Sequence, residues 1–342
     1  MDHRRYLRQS ILAEIGEQGQ QALAKSKVLM IGAGGLGSPA AMYLATAGIG
    51  QLTLVDDDEV EITNLGRQIL HGDADIGKAK VSSAQATLSS LNPDIKIETI
   101  RDRFNENNAA ELVDDHDFII DGCDNFTTKF LINDSCVLKG KAYSHAGVLS
   151  WGGQTFTHIP GSPCYRCLFD EPPPPEAVPN CSEAGVVGPV VGLLGSVQAT
   201  EAIKYLIGME NSLLLGQLLT VDALEMKFRK VQFPKNPKCR VCSELATIKD
   251  IKEDGVVQCD LKQTEADKWL ITFENSQKVL KAERQLKQQN FKVEPRVTPR
   301  QLSNECGICL QLEADEADSG KQALQAVDLN WVRFVTLQDF SG

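Results

Sequence analysis

The run Val28-Leu29-Met30-Ile31, then Gly32-Ala33-Gly34-Gly35-Leu36-Gly37, then Ser38-Pro39-Ala40-Ala41 restricts the fold more than any other part of the chain. Four apolar residues read as a short buried strand. The glycines after it force a tight turn, and a proline in the first helical turn opens a helix, since its missing N–H is not needed there. Gly48 and Gly50 end that helix. Leu52-Thr53-Leu54-Val55 is the next strand, closed by Asp56. A strand, helix and strand in this order form a βαβ unit, which builds a parallel sheet.

The alternation continues. Residues 79–91 read as helix, 95–100 as strand, 106–114 as helix, 117–121 as strand and 125–138 as helix. Residues 141–158 read as two strands around a glycine-rich turn, and 190–208 as a long apolar helix. Pro172 to Pro175 and Pro179 exclude both helix and central strand over 170–180, which leaves an extended loop. Composition turns polar after Cys242. The expected division is a domain over 1–243, a linker over 244–267 and a small domain over 268–342. In the last, 269–273, 291–297 and 331–337 read as strands, 275–289 as a Lys/Gln-rich helix and Cys306-Gly307-Ile308-Cys309 as a turn. The expected class is α/β: a Rossmann-like, mostly parallel sheet with helices on both faces, a structural zinc site, and a small α+β C-terminal domain.

The glycine turn sets the first chemical expectation. Gly32, Gly34, Gly35 and Gly37 let backbone approach a phosphate, and the helix that follows points its N-terminus at the anion. Asp56 ends the next strand, where a carboxylate accepts ribose hydroxyls. A structural turn without a ligand is the bland alternative, and the motif does not separate NAD from ATP. Asn64, Arg67, Gln68 and Lys80 follow. They add a polar anchor, a guanidinium and an ammonium, which suit the dense negative charge of nucleotidyl transfer; otherwise they are solvated surface charge. Asp121-Gly122-Cys123-Asp124-Asn125 follows a strand, so its carboxylates fall at the carboxyl edge of the sheet. Asp124 is the expected magnesium-facing group and Asn125 an expected nucleotide contact, unless either only caps the next helix.

The net charge of -11 argues against non-specific nucleic-acid binding. No 18-residue apolar stretch and no apolar signal core appear, so the expectation is a cytoplasmic protein without a membrane span. Ten cysteines in such a chain point to metal ligands or reactive thiols rather than disulfides. Cys164-x-x-Cys167 and Cys239-x-x-Cys242 supply four thiolates in two knuckles, a set for tetrahedral Zn2+ with no open position. Two redox pairs are the alternative. Cys123 and Cys136 read as packed core thiols. Cys181, after the proline loop and before Gly185 and Gly188, sits where a thiolate would be accessible.

These motifs together resemble the MoeB/ThiF/HesA group, related to ubiquitin-activating enzymes, over residues 5–242. The match runs through Arg5-Tyr6-x-Arg8-Gln9, the glycine turn, Asp56, Asn64-Leu65-x-Arg67-Gln68, Lys80, Asp121-x-x-Asp124-Asn125, both cysteine knuckles, Asn180-Cys181 and Gly185-Val186-Val187-Gly188-Pro189. Gly66 departs from the larger polar residue common there. The resemblance implies an adenylyltransferase that uses ATP and Mg2+ to activate the Gly-Gly C-terminus of a small ubiquitin-like sulfur carrier. It implies Asp56 on the ribose, Asn64, Arg67 and Lys80 on phosphates, and Asp124 toward magnesium. It also implies a homodimer in which Arg8 reaches the partner's ATP, and a sulfur-handling or acyl-accepting Cys181. Residues 268–312 resemble small Se/S carrier-like domains, on Thr272-Phe273, Glu283, Pro299-Arg300 and Cys306-Gly307-Ile308-Cys309. That resemblance makes Cys306 or Cys309 a candidate persulfide carrier, fed by a donor such as a cysteine desulfurase; an exposed pair or half a metal site is the alternative. Two other functions stay open at this point: an NAD-dependent dehydrogenase, which leaves Arg67, Lys80 and the knuckles idle, and a carrier-binding adaptor without turnover.

Overall fold

The computed structural model describes residues 3–172, 185–253, 269–273, 276–289, 291–297, 308–327, 329, 331 and 333–336. The described residues up to 253 form one compact unit and those from 269 on a second.

The first unit is built on eight strands: β1 (Lys27–Ile31), β2 (Gln51–Val55), β3 (Lys96–Ile100), β4 (Phe118–Asp121), β5 (Ala142–Leu149), β6 (Gly152–His158), β7 (Gln217–Asp222) and β8 (Lys227–Gln232). Their order in the sheet is β3-β2-β1-β4-β5-β6-β7-β8. The first five are parallel and the last three antiparallel. From β1 the chain moves outward through β2 to β3, then returns to place β4 on the other flank of β1. The carboxyl ends of β1 and β4 are therefore the switch point, where sheets of this type open a crevice for ligands.

Alternate residues of each strand face opposite sides, and both sides are covered, which explains the continuous apolar runs. Val28, Met30, Leu54 and Ile120 pack on one side against α3 (Gly37–Ala47), α4 (Lys80–Leu91) and α8 (Gly188–Leu206). Leu29, Ile31 and Ile119 pack on the other against α5 (Ala109–Asp114) and α6 (Phe126–Lys139). The short helices α1 (Leu7–Ser10), α2 (Gly16–Leu23) and α7 (Tyr165–Leu168) complete the unit.

Most expected elements stand within a few residues of their reading. Absent from it were α1, α2, β7 and β8. Every residue of β8 is exposed, so Lys-Phe-Arg-Lys-Val-Gln carries no buried face to read. Residues 244–253 pack on the first unit rather than hanging free. Thr247 and Ile248 donate to the Arg240 carbonyl, and Ile251 joins the core under β1 and β4.

The second unit is an antiparallel sheet of β9 (Trp269–Thr272), β10 (Val293–Val297), β11 (Ile308–Leu312) and β12 (Arg333–Thr336), in the order β10-β11-β9-β12. Helices α9 (Ser276–Gln288) and α10 (Ala317–Gln325) cover it, with Leu286 and Leu324 on Ile271, Leu310 and Leu312. Helix α10 was not expected. Cys309, read as part of a turn, lies instead inside β11. It pairs in register with Thr272 and is fully buried beside Leu270. The strand continues because Cys309 and Leu310 offer apolar side chains to opposite faces of a thin sheet.

Four of the five histidines, His71, His116, His145 and His158, are buried. Burial draws each below the ordinary imidazole value, His158 to about 4. Between about pH 6.5 and pH 4 the unfolded chain therefore binds more protons than the folded one, and stability falls as acid is added. Urea denaturation at pH 7 and pH 5 should show a loss of about 2 kcal/mol from His158 alone, and His158→Gln should flatten that slope.

Candidate nucleotide and metal sites

The glycine turn is locked by backbone contact. Gly32 has φ +95°, and a Cβ there would sit 2.7 Å from the Gly122 carbonyl oxygen. A Cβ on Gly37 would sit 2.0 Å from the Gly32 oxygen. Only glycine permits β1 to turn this sharply into α3 while β4 passes alongside.

Asp56 holds the turn from the next strand. Its Oδ2 accepts the Ala33 N–H at 2.7 Å and its Oδ1 the Asp58 N–H at 2.9 Å. Burial pushes its carboxyl above the ordinary value; the Lys80 ammonium and these two N–H groups oppose the rise. Lys80 opens α4, is 6% exposed and donates to Asp58 Oδ2 at 2.7 Å. The Asp58 carboxylate thus holds the buried ammonium in place beside the turn.

The segment carrying Asn64 and Arg67 lies across the turn. Asn64 is buried, and its Oδ1 accepts the Glu61 N–H. Arg67 is half-buried; Nη1 donates to the Thr63 carbonyl and its stem runs 3.6 Å from where a Gly35 Cβ would stand. Gly188 at the start of α8 lets the Gly66 carbonyl approach; a Cβ there would meet it at 2.4 Å. Gln68 is buried beside Gly34, and its Oε1 has no hydrogen-bond partner. That orphaned acceptor at a glycine cradle fits a ligand bearing hydroxyl or amino donors. His71, which sequence reasoning passed over, also supports the turn. Nε2 lies 3.1 Å from the Ala33 carbonyl and Nδ1 2.9 Å from Ser83 Oγ.

The two carboxylates at the end of β4 and just beyond it part company. Asp124 is exposed. Asp121, expected at the same edge, is 1% exposed and turned inward, bonded to Lys129 and His145. Burial alone would raise its carboxyl, but Lys129 and then the His145 bond hold it down at about 2. Asn125, counted with the nucleotide contacts, spends its Oδ1 on the Thr128 N–H and caps α6. Arg8 is exposed on α1, while its motif neighbours are anchors. Arg5 donates to the Leu91 carbonyl, the Tyr6 hydroxyl accepts from Asn92, and Gln9 donates to the Ala47 carbonyl. Cys181 and Cys306 lie outside the described residues.

The chain belongs to the ThiF family. Residues 6–241 match that family and residues 268–335 match one described as Se/S carrier protein-like. This ThiF protein is 45% identical over 257 residues to the SAMP-activating enzyme E1 of Haloferax volcanii, covering 75% of the chain and 94% of the relative. It is 42% identical over 253 residues to the sulfur carrier protein adenylyltransferase of Thermus thermophilus, covering 72% and 93%. It is 45% identical over 277 residues to the adenylyltransferase and sulfurtransferase MOCS3 of Anopheles gambiae. That alignment covers 80% of the chain but 62% of the longer relative. Among solved structures, E. coli MccB with AMPCPP and MccA aligns with a TM-score of 0.60 at 26% identity, over 71% of this chain and 75% of that one.

The two knuckles of the ThiF unit meet as their spacing implied. Cys164 Sγ lies 3.9 Å from Cys167 Sγ and 3.6 Å from Cys239 Sγ, and Cys167 lies 3.4 Å from Cys242. Four ligands at about 2.3 Å around tetrahedral zinc stand roughly 3.8 Å apart, so the donor set fits that ion. The Asn236 N–H, 3.4 Å from Cys167 Sγ, would steady a thiolate. Arg166, inside the first knuckle and fully buried, fixes it to α6. Its Nε and Nη2 donate to the two oxygens of Asp134 at 2.7 Å, its Nη1 donates to the Asp170 carbonyl, and its guanidinium lies 4.7 Å over the Phe130 ring. Cys123 and Cys136 are core thiols, as read; burial pushes both well up.

Cys239→Ser should lower bound zinc to background by atomic absorption and lower Tm by roughly 5–10 °C. A protein stripped of zinc with an unchanged Tm would show that the knuckles are not structural.

Proposed function

We propose that this protein uses ATP to adenylate the C-terminal carboxylate of a ubiquitin-like sulfur carrier ending in Gly-Gly. The observation that carries this reading is the buried Lys80 ammonium, fixed beside the Asp56-held glycine turn, with Arg67 across it. Hydride transfer to a nicotinamide has no use for such charge. A pentacoordinate α-phosphate with departing pyrophosphate does, and preorganised cations in a partly dry site stabilise it strongly. The relatives named as activating enzyme and carrier adenylyltransferase support the same substrate class.

The carrier carboxylate forms the new O–P bond at the α-phosphorus while the bond to the β-phosphate oxygen breaks. A carboxylate is already ionised, so no general base is needed, and catalysis is alignment plus charge stabilisation. Asp56 would hold the ribose, and Asn64, Arg67 and Lys80 the phosphates. Gln68 would offer its orphaned oxygen to a ligand donor, and Asp124 would hold magnesium, which supplies charge neutralisation to the pyrophosphate. Asn125 contributes to the site by capping α6 behind Asp124. In a second stage a persulfide attacks the acyl-adenylate and AMP leaves; a further thiol then releases the thiocarboxylate. A cysteine desulfurase would charge the persulfide. Cys181 and Cys306 are the thiols put forward. Cys309, buried in β11, is set aside as the direct attacker. The reaction belongs in the cytosol, where thiols stay reduced.

A homodimer completes the site. Leu7, Ile11 and Leu12, next to Arg8 in the chain, and Tyr43 on α3 stand more than half exposed, apolar surface that a second copy would cover while Arg8 crosses to the neighbouring ATP.

Pyrophosphate exchange into ATP should require a Gly-Gly-ended carrier, and Lys80→Ala should lower its rate by about 10²–10³. Exchange by the purified protein without any carrier, or undiminished exchange by the variant, overturns the reading. Mixing inactive Arg8→Ala and Lys80→Ala chains should restore part of the exchange, because each mixed dimer has one intact site; no restoration rules out the crossing arginine.

A further inference from the structure

The parallel ladder between β4 and β5 runs from Phe118↔Ala142 to Ile120↔Ser144 and stops. The next positions, Asp121 and His145, are joined by side chains instead: His145 Nδ1 lies 2.7 Å from Asp121 Oδ2. From the α6 side, Lys129 Nζ reaches both Asp121 oxygens at 3.1 Å, the Cys123 carbonyl at 2.8 Å and the Ala146 carbonyl at 2.7 Å. From the α8 side, Gln198 Nε2 donates to the Asp121 carbonyl at 2.9 Å and the Ser144 carbonyl at 3.0 Å. The fork between the strands is thus bridged from both faces of the sheet. None of the four side chains is more than 6% exposed.

Burying a lysine and an aspartate together adds little stability over an apolar pair of the same volume. What such a pair does supply is fixed geometry. Lys129 holds the carbonyl of Cys123, the residue immediately before Asp124, and ties it to Ala146 across the fork. Charge against burial raises the Lys129 ammonium and lowers Asp121, so both stay ionised.

We propose that Lys129, with Asp121 and His145, is a positioning unit that fixes the β4–α6 loop and so the place from which Asp124 reaches a divalent cation on a bound triphosphate. This rests on the adenylation reading for what Asp124 does, and on the fork alone for what Lys129 does.

The unit is tested with ATP and MgCl2 as probes, without a carrier. Lys129→Met alone leaves a buried carboxylate uncompensated and can unfold the chain, so Asp121→Asn/Lys129→Met, which removes both charges, is the working variant, and Lys129→Arg is the conservative one. By calorimetry, Mg2+ should tighten ATP binding to the unaltered protein. The double variant should lose roughly fivefold or more of that gain while its affinity for ATP in EDTA stays within about twofold. Asp124→Asn should lose the same gain, and adding it to the double variant should cost nothing more. Lys129→Arg should keep the gain. In ligand-free protein, amide hydrogen exchange over Gly122–Asn125 should rise in the double variant and not in Lys129→Arg. Unchanged exchange there, or losses that multiply when Asp124→Asn is added, overturns the proposal. If the unaltered protein binds no ATP, the adenylation reading falls, and the exchange measurement still decides whether Lys129 fixes the loop.

Discussion

The first unit depends on backbone meeting backbone at one crossing. Gly32, Gly37 and Gly122 bring the ends of β1 and β4 and the start of α3 so close that any side chain would collide with a carbonyl. Hydrogen bonds alone do not enforce this proximity; the lack of Cβ atoms permits it, and the packed faces above and below hold it. Because β1 is central, the crossing aligns β2 and β4 on either side of it, and with them Asp56 and the β4–α6 loop. The cleft is a consequence of strand order, and its chemistry comes from what the loops place at its rim.

Charge at this cleft comes in two sets. Lys80 and Asp56 lie beside the glycine turn, Lys80 paired to Asp58 and Asp56 to the Ala33 N–H. Lys129 and Asp121 are spent on backbone and on each other. Both pairs begin as a carboxylate near a strand end and a lysine on the following helix. The residue types are the same, but Lys129 bonds Asp121 itself whereas Lys80 bonds Asp58, and the two strand-end carboxylates turn different ways. Asp121 follows the alternation of Ile119 and so points into the α6 face of the core. Asp56, one residue past the end of β2, is freed to turn toward Ala33.

That alternation explains how much could be read in advance. The glycine turn, the βαβ order, both cysteine knuckles and the family were legible because each rests on local spacing or on an ordered string of motifs. The inward turn of Asp121 was in principle legible too, since it alternates with Ile119 in a sheet covered on both faces. Lys129 and His71 were not, because a lysine or histidine among apolar neighbours carries no sign of the carbonyl it will meet. Strand β8 was hidden for the opposite reason: an exposed edge needs no apolar face. Cys309 looked like half of a turn because Cys-Gly-Ile-Cys reads locally as one, whereas pairing with Thr272 across the sheet is a non-local fact.

Burial and company divide the described cysteines into a four-thiol cluster and isolated core thiols. Cys164, Cys167, Cys239 and Cys242 converge within reach of one ion, and Arg166 fastens their first knuckle to α6, the helix that also carries Lys129. One helix therefore joins the cysteine cluster at Asp134 to the β4–α6 loop at Lys129, through side chains that are all buried. A thiol meant to carry sulfur must do the reverse of these residues: leave the core, meet solvent and be free to move between donor and acyl-adenylate. Cys123, Cys136 and Cys309 fail that requirement by position, each buried in a packed sheet or helix face.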